Sequence, residues 1–304
     1  MRAVVIRTFG AEDVLTVSQI DTPTPREQEV RVRVAGAAVN RTDLNLRAGL
    51  YGLPEPAAGA PGHTFGMDVA GVIDALGAGV TGLQVGDAVV GFSGPPATPA
   101  AQAEYVVLPM AAVTPAPAGV PLVQAATLPL NGLTAAQALD QAGLPHGATV
   151  VVTGAAGGLG VFLLQLAHLA GHRVVAWVKP DTDPEGLRRL GADEVITSAD
   201  QAGLRGSADA VIDAATLGQP AVGAIRDGGA YVTFRGNTPV LGRGIRQVDI
   251  SVHNDGKMLQ QLVEAVESGD LRLAGVTQVP LEQVAAAQQA FAAGGLRDRL
   301  VLVP

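Results

Sequence analysis

Residues 150–179, VVVTGAAGGLGVFLLQLAHLAGHRVVAWVK, constrain the fold more than any other stretch of the chain. A β-branched run leads into Gly154-Ala155-Ala156-Gly157-Gly158-Leu159-Gly160, an apolar helical run follows, and RVVAWV is a second β-rich run. Strand, glycine turn, helix and strand in this order form a βαβ unit, which commits its strands to a parallel sheet covered by helices. The usual dinucleotide-binding turn reads GxGxxG; here Ala155 stands at the first glycine, with Gly157 and Gly160 as the second and third. Gly157 lets the backbone approach a pyrophosphate and Gly160 lets helix and strand pack closely. Ala155, Ala156, Gly158 and Leu159 complete a loop at a helix N-terminus, whose N–H groups suit an anion. A tight strand-to-helix connection without a ligand uses glycines in the same way, so the turn alone leaves both readings open. Leu159, Leu163, Leu166 and Leu169 are expected on the buried stripe of the helix, with Gln165, His168 and His172 off it.

Roughly 20 residues beyond such a loop, an Asp or Glu accepts a hydrogen bond from a ribose 2′-hydroxyl. This chain has Lys179 there, one of its two lysines with Lys257. A cation pairs with a 2′-phosphate, so NADPH is the expected cofactor over NADH; a solvated loop lysine is the alternative. Asp181 and Asp183 follow, and would repel a phosphate if they faced it.

Around this unit the chain divides. Before it, AVVIRTFG, LTVSQI, EVRVRVAGAAV, MDVAGVIDALG, VGDAVVGF and AEYVVLP are short strand candidates separated by Gly and Pro turns, the pattern of a partly open barrel or sandwich. From about residue 121 strands and helices alternate, with EVIT, DAVIDAA, GAYVTFRG and IRQVDI as further strands of a doubly wound parallel sheet. KMLQQLVEAVESGDL and VPLEQVAAAQQAFAAGG read as amphipathic helices before a last strand, RLVLVP.

Several classes of function are disfavoured. A net charge of −8 argues against a nucleic-acid partner. The absence of cysteine excludes disulfides, thiolate metal sites and cysteine nucleophiles. The five histidines, His63, His146, His168, His172 and His253, show no metal-ligand spacing. Residues 105–139 carry no charge, but five prolines interrupt them, so no membrane span is expected. MRAVVIRTFG has no signal-peptide pattern, and a cytoplasmic location is the expectation.

VAGAAVNRTDLNLRAGLYG, PGHTFGMDVAGVIDALGAGVTGLQVGDAVVGF, AATLPLNGLTAAQAL, VVVTGAAGGLG and RRLGADEVI occur in the order found in the medium-chain dehydrogenase/reductase superfamily. The chain resembles its zinc-free quinone oxidoreductase branch, similar to zeta-crystallin. The resemblance implies a GroES-like β-rich catalytic domain over residues 1–120, completed by 255–304, and a Rossmann NADP-binding domain over 121–254. It implies a homodimer in which the strand near residues 245–250 pairs across a two-fold. Zinc-dependent relatives use a Cys where Asn40 stands and Gly-His-Glu where Gly62-His63-Thr64 stands, so no metal is expected. The resemblance places Asn40 beside the nicotinamide, Thr134 on the cofactor and Tyr51 in the substrate cleft. Turn closure for Asn40 and plain packing for Tyr51 are the alternatives. Phe234 and Arg235 of YVTFRGN are further candidate cofactor contacts. A family lysine falls near Asp183, a departure for which Lys179 would compensate.

The expected function is therefore NADPH-dependent, metal-free hydride transfer to a small quinone or α,β-unsaturated carbonyl compound. Without a Lewis acid such a site needs an acceptor that is already electron-poor. The alternatives are an enoyl-thioester reductase of the same superfamily and an NADPH-binding sensor or structural protein without turnover.

Overall fold

The computed structural model describes residues 1–57, 59–60, 62–94, 100–197, 201–234 and 239–304, with the backbone alone at 201 and 202. They form two compact units: Met1–Leu130 with Asn254–Glu267 and Leu273–Pro304, and Asn131–His253 with Ser268–Arg272. The chain crosses between them at Leu130/Asn131 rather than near residue 121. The helix Leu122–Ala125 packs on strands Glu29–Ala38, Asp68–Leu76 and Ala88–Phe92, which keeps it in the first unit.

The first unit is built on the strand Glu29–Ala38. Val30, Val32 and Val34 alternate with charged residues, and the period of two sends all three valines into the core. Arg31, on the other face, forms a two-point ion pair with Asp74 of the neighbouring strand, at 2.9 and 3.0 Å. The strand pairs antiparallel with Asp68–Leu76, with Tyr105–Pro109 and, through Ala37 and Ala38, with the terminal strand Arg299–Val303. Seven strands make this sheet, and Thr16–Gln19, Arg2–Ile6 and His63–Thr64 make a second, three-stranded one. Three of the strands, His63–Thr64, Val113–Pro115 and Val276–Pro280, are absent from the sequence reading. The helix expected from residue 279 starts only at Val284, because Val279 and Pro280 pair with the terminal strand.

The second unit holds a six-stranded parallel sheet. In chain order its elements are β1 (Thr149–Thr153), α1 (Gly160–Leu169), β2 (Arg173–Val178), α2 (Pro184–Arg189), β3 (Glu194–Thr197), β4 (Ala208–Asp213), α3 (Gln219–Val222), β5 (Ile225–Thr233) and β6 (Arg246–Asp249). The strand order is β3-β2-β1-β4-β5-β6 and every neighbouring pair is parallel. That is the Rossmann order, which reverses direction between β1 and β4; ligands of such sheets sit in the crevice outside the strand ends at this reversal.

The buried stripe of α1 differs from the expectation. Phe162, Leu163, Leu164 and Ala167 are buried, whereas Leu169 is 49% exposed. Gln165, expected off the stripe, is buried. Its Nε2 donates to the Arg272 carbonyl (3.2 Å) and its Oε1 accepts from the Arg272 N–H (2.8 Å), so a returning segment covers that side of the helix. An apolar tally cannot reveal a glutamine buried by backbone partners.

Val151, Val175, Trp177, Val211, Ile225 and Tyr231 form the core on one face of the parallel sheet. Trp177 is the only tryptophan, so its fluorescence reports on this unit alone. Ile225→Ala is expected to cost about 2–5 kcal/mol, seen as a lower urea midpoint for the Trp177 emission shift. An unchanged midpoint would place Ile225 outside the cooperative core.

Candidate active site

The glycine loop leaves β1, the strand at the reversal, and turns at Gly154, whose φ of +62° lies in the left-handed region. Gly157 N–H donates to the Gly154 carbonyl at 2.8 Å. A Cβ on Gly160 would lie 2.3 Å from that same carbonyl oxygen and 2.6 Å from Ala155 Cα, so only glycine lets α1 start this close to β1. Ala155 is buried beneath the loop, while Ala156 and Gly157 are exposed on it. Among the described residues, the N–H groups of Ala156 and Gly158 donate to no protein acceptor. Free amides at the positive end of a ten-residue helix make a cradle that fits a diphosphate.

Lys179 follows β2 and is exposed; its carbonyl closes a turn by accepting from Thr182 N–H at 3.1 Å. Asp183, four residues beyond Lys179, caps α2: its carboxylate accepts from Glu185 and Gly186 N–H, both at 3.1 Å, and Arg189 Nη2 lies 3.8 Å away. Asp183 is thus engaged by its own helix, which weakens its repulsion of an anion near Lys179. Phe234 is half-buried just past β5. The loop 154–160, Lys179 and Phe234 therefore all lie at the carboxyl edge of one parallel sheet. Arg235 lies outside the described residues. Thr134 is buried in the helix Pro129–Ala142, which precedes β1.

Asn40 belongs to the first unit, where it is 4% exposed at the N-cap of the helix Arg41–Arg47. Its Nδ2 donates to Asp68 Oδ2 at 2.7 Å and to the Ala38 carbonyl at 3.2 Å. Its Oδ1 accepts from Arg299 Nη2 at 2.6 Å. Asp43 Oδ2 accepts from the Asn40 backbone N–H at 2.8 Å, and Asp68 Oδ1 from Leu130 N–H at 2.6 Å. The amide is thereby oriented from both ends. Burial pushes both carboxyls up, Asp43 to about 7 and Asp68 to about 6, and pulls the Arg299 guanidinium below its ordinary value. Tyr51 packs on the apolar cluster of Val39, Leu44, Leu46 and Phe65. His63 stacks on Phe9 and approaches the Pro54 carbonyl with Nε2 at 2.9 Å. Among the described residues no group of three or more His, Cys, Asp or Glu is placed to hold a metal.

Three residues at these positions escaped the sequence reading: Asp43, Asp68 and Asp213. Asp213 ends β4 opposite Thr153 and is fully buried. It is followed by Thr216, whose φ of +55° is a left-handed conformation that costs a β-branched residue about 1–3 kcal/mol. A signal was present: Asp68 in GMDVAGVI and Asp213 in DAVIDAA each interrupt an apolar run, where an acid is costly to bury without partners.

The two raised carboxyls give the stability a pH dependence of definite sign. In the unfolded chain each titrates at about 3.9, so above that pH the folded state holds protons the unfolded chain has released. Their stabilisation is full below about pH 4 and is lost as pH rises through their folded values. The Tm should fall from about pH 4 to about pH 7, and Asp43→Asn should flatten that fall. An equal slope in wild type and variant would remove Asp43 as its source.

Two family models match the chain: the alcohol dehydrogenase GroES-like domain over residues 26–118 and zinc-binding dehydrogenase over residues 190–302. The chain is 33% identical to the 2-methylene-furan-3-one reductase of Solanum lycopersicum, over 90% of this chain and 70% of that one. It is 32% identical to the chloroplastic NADPH-dependent alkenal/one oxidoreductase of Arabidopsis thaliana, over 90% of this chain and 71% of that one. The solved quinone oxidoreductase of Coxiella burnetii superposes with a TM-score of 0.87 at 26% identity, covering 100% of this chain and 99% of that one. With a GroES-like unit completed by its terminal strand and a Rossmann sheet carrying the glycine loop, the chain belongs to the medium-chain dehydrogenase/reductase superfamily.

Proposed function

We propose that the chain is an NADPH-dependent reductase that transfers a hydride, without a metal, to quinones or α,β-unsaturated carbonyl compounds. The observation that carries this is the carboxyl edge of the parallel sheet. There a diphosphate cradle at Ala155–Gly160 shares its edge with Lys179, a cation where a 2′-hydroxyl reader would carry an acid. Asp183, whose carboxylate caps α2, has its oxygens engaged by backbone N–H groups. The names of the relatives, reductases of enones, alkenals and quinones, support the acceptor class.

When bound, the reduced nicotinamide supplies the hydride. The acceptor carbon that receives it pushes an electron pair onto the conjugated oxygen, which then needs a hydrogen bond and finally a proton. Tyr51 is the candidate donor to that oxygen. Asn40, its amide fixed between Asp68 and Arg299, supplies an oriented dipole. Such an acceptor is polarised by its own conjugation, so no Lewis acid is required. We also read β6, the last strand of the sheet order, as the edge through which two copies pair. A cytoplasmic location belongs to the same reading. Among the described residues no helix is long and apolar enough to cross a membrane.

Lys179→Asp should shift the NADPH-to-NADH efficiency ratio toward NADH by about 10- to 100-fold, the size of one charge-assisted contact. An unchanged ratio would show that Lys179 does not read the phosphate. Tyr51→Phe should lower kcat for a quinone or enone by about 100-fold with NADPH affinity unchanged; full activity would leave Tyr51 a packing residue. Tight NADPH binding with no acceptor-dependent oxidation would favour a binding protein, and turnover restricted to enoyl thioesters the other reductase class. Light scattering that reports a monomer at micromolar concentration would remove the dimer.

A further inference from the structure

At the reversal of strand order, the last paired residues of β1 and β4 are Thr153 and Asp213. Asp213 is fully buried and its carboxylate accepts four hydrogen bonds. Oδ1 takes Thr153 Oγ1–H (2.5 Å) and Leu217 N–H (3.0 Å), and Oδ2 takes Gly218 N–H (2.8 Å) and Tyr231 O–H (2.6 Å). Thr153 Oγ1 in turn accepts Ala215 N–H at 3.0 Å. The carboxylate and the Thr153 hydroxyl thus gather the backbone of residues 214–218 onto the end of β1, one residue before the glycine loop. A Cβ on Gly154 would lie 3.1 Å from Ala215 Cβ, so the two loops touch.

The segment is not at rest in this shape. Thr216 is left-handed at φ +55° and Gly218 follows at +69°, while Leu217 between them is 38% exposed at the sheet's carboxyl edge. A β-branched residue holds such a conformation only where its surroundings over-determine it, and strain of this kind collects at ligand sites. Here the over-determination comes from the two N–H groups bound by Asp213. A neutral residue could not replace it, because all four partners arrive as donors. Burial and the neighbouring carboxylate push the Tyr231 phenol well above its ordinary value, which keeps it a donor throughout the working range.

We infer that Asp213 is a positioning residue for the dinucleotide: it clamps the strained loop 214–218 against Gly154 and so sets the crevice at the strand reversal into which the cofactor fits. The inference rests on the pyridine-nucleotide reading above. It assigns loop 214–218, with Thr153 as the bridge, to the cofactor floor.

Asp213→Ala would strand four buried donors and is expected to unfold the unit, so the test acts on the bridge. Thr153→Val keeps the shape and deletes the hydroxyl that joins Asp213 to Ala215; Thr153→Ser keeps it. Tyr231→Phe removes a bond to the same carboxylate from a strand instead of a loop. NADPH affinity is measured by fluorescence titration, and fold stability by Tm. Thr153→Val should raise the NADPH Kd about tenfold, the equivalent of one hydrogen bond, and Thr153→Ser should restore it to within about twofold. Tyr231→Phe should lower Tm while leaving Kd within about twofold of wild type. If Thr153→Val binds NADPH as wild type does, or if Kd follows Tm equally in all three variants, Asp213 is merely structural and the inference is overturned. If wild type itself binds neither NADPH nor NADH, the cofactor reading fails first, and this inference with it.

Discussion

The first unit depends on a buried guanidinium. Arg299 sits with two buried carboxyls around the amide of Asn40, and the set draws on four separate pieces of chain: the helix Arg41–Arg47, the strand Asp68–Leu76, the start of the helix Pro129–Ala142 and the terminal strand Arg299–Val303. Removing one member would leave charges in the interior without compensation, which costs far more than the pairing gains. Burial is the main cause of the upward shifts of Asp43 and Asp68; the Asp68 charge adds to the shift of Asp43, and Arg299 opposes both. The same arrangement that orients Asn40 makes it costly to move.

The second unit solves a similar problem by other means. Among the described residues Asp213 forms no ion pair; four donors, two of them backbone amides, hold its carboxylate. In both units an aspartate is buried at an end of a β-strand and orders backbone rather than reaching outward. Hydrogen bonds to an ionised group are the strong ones, and they suit loops that must hold an uncommon shape.

How much of this was legible depended on whether a residue acts through a local pattern or through a distant partner. The βαβ unit, the glycine loop and the later parallel strands were readable because periodicity and turn chemistry are local. The strand Val276–Pro280 was missed because VTQVP has only a weak alternation, and its partner Arg299–Val303 settles its state. Gln165 was misassigned to the surface because its partner is a backbone segment some hundred residues away. Lys179 could be read from spacing, yet the turning of Asp183 onto its own helix required geometry. Asp43, Asp68 and Arg299 lie far apart in sequence, and no spacing rule joins them.

The placement of the strand Arg299–Val303 has a consequence for synthesis. It pairs with Glu29–Ala38 near the middle of the larger sheet, and its arginine completes the polar interior there. As the chain leaves the ribosome, residues 131–253 therefore acquire all six of their strands before the sheet that begins with earlier residues can close. The portion translated first is the portion finished last, and until then it keeps an open edge and an unneutralised pair of acids.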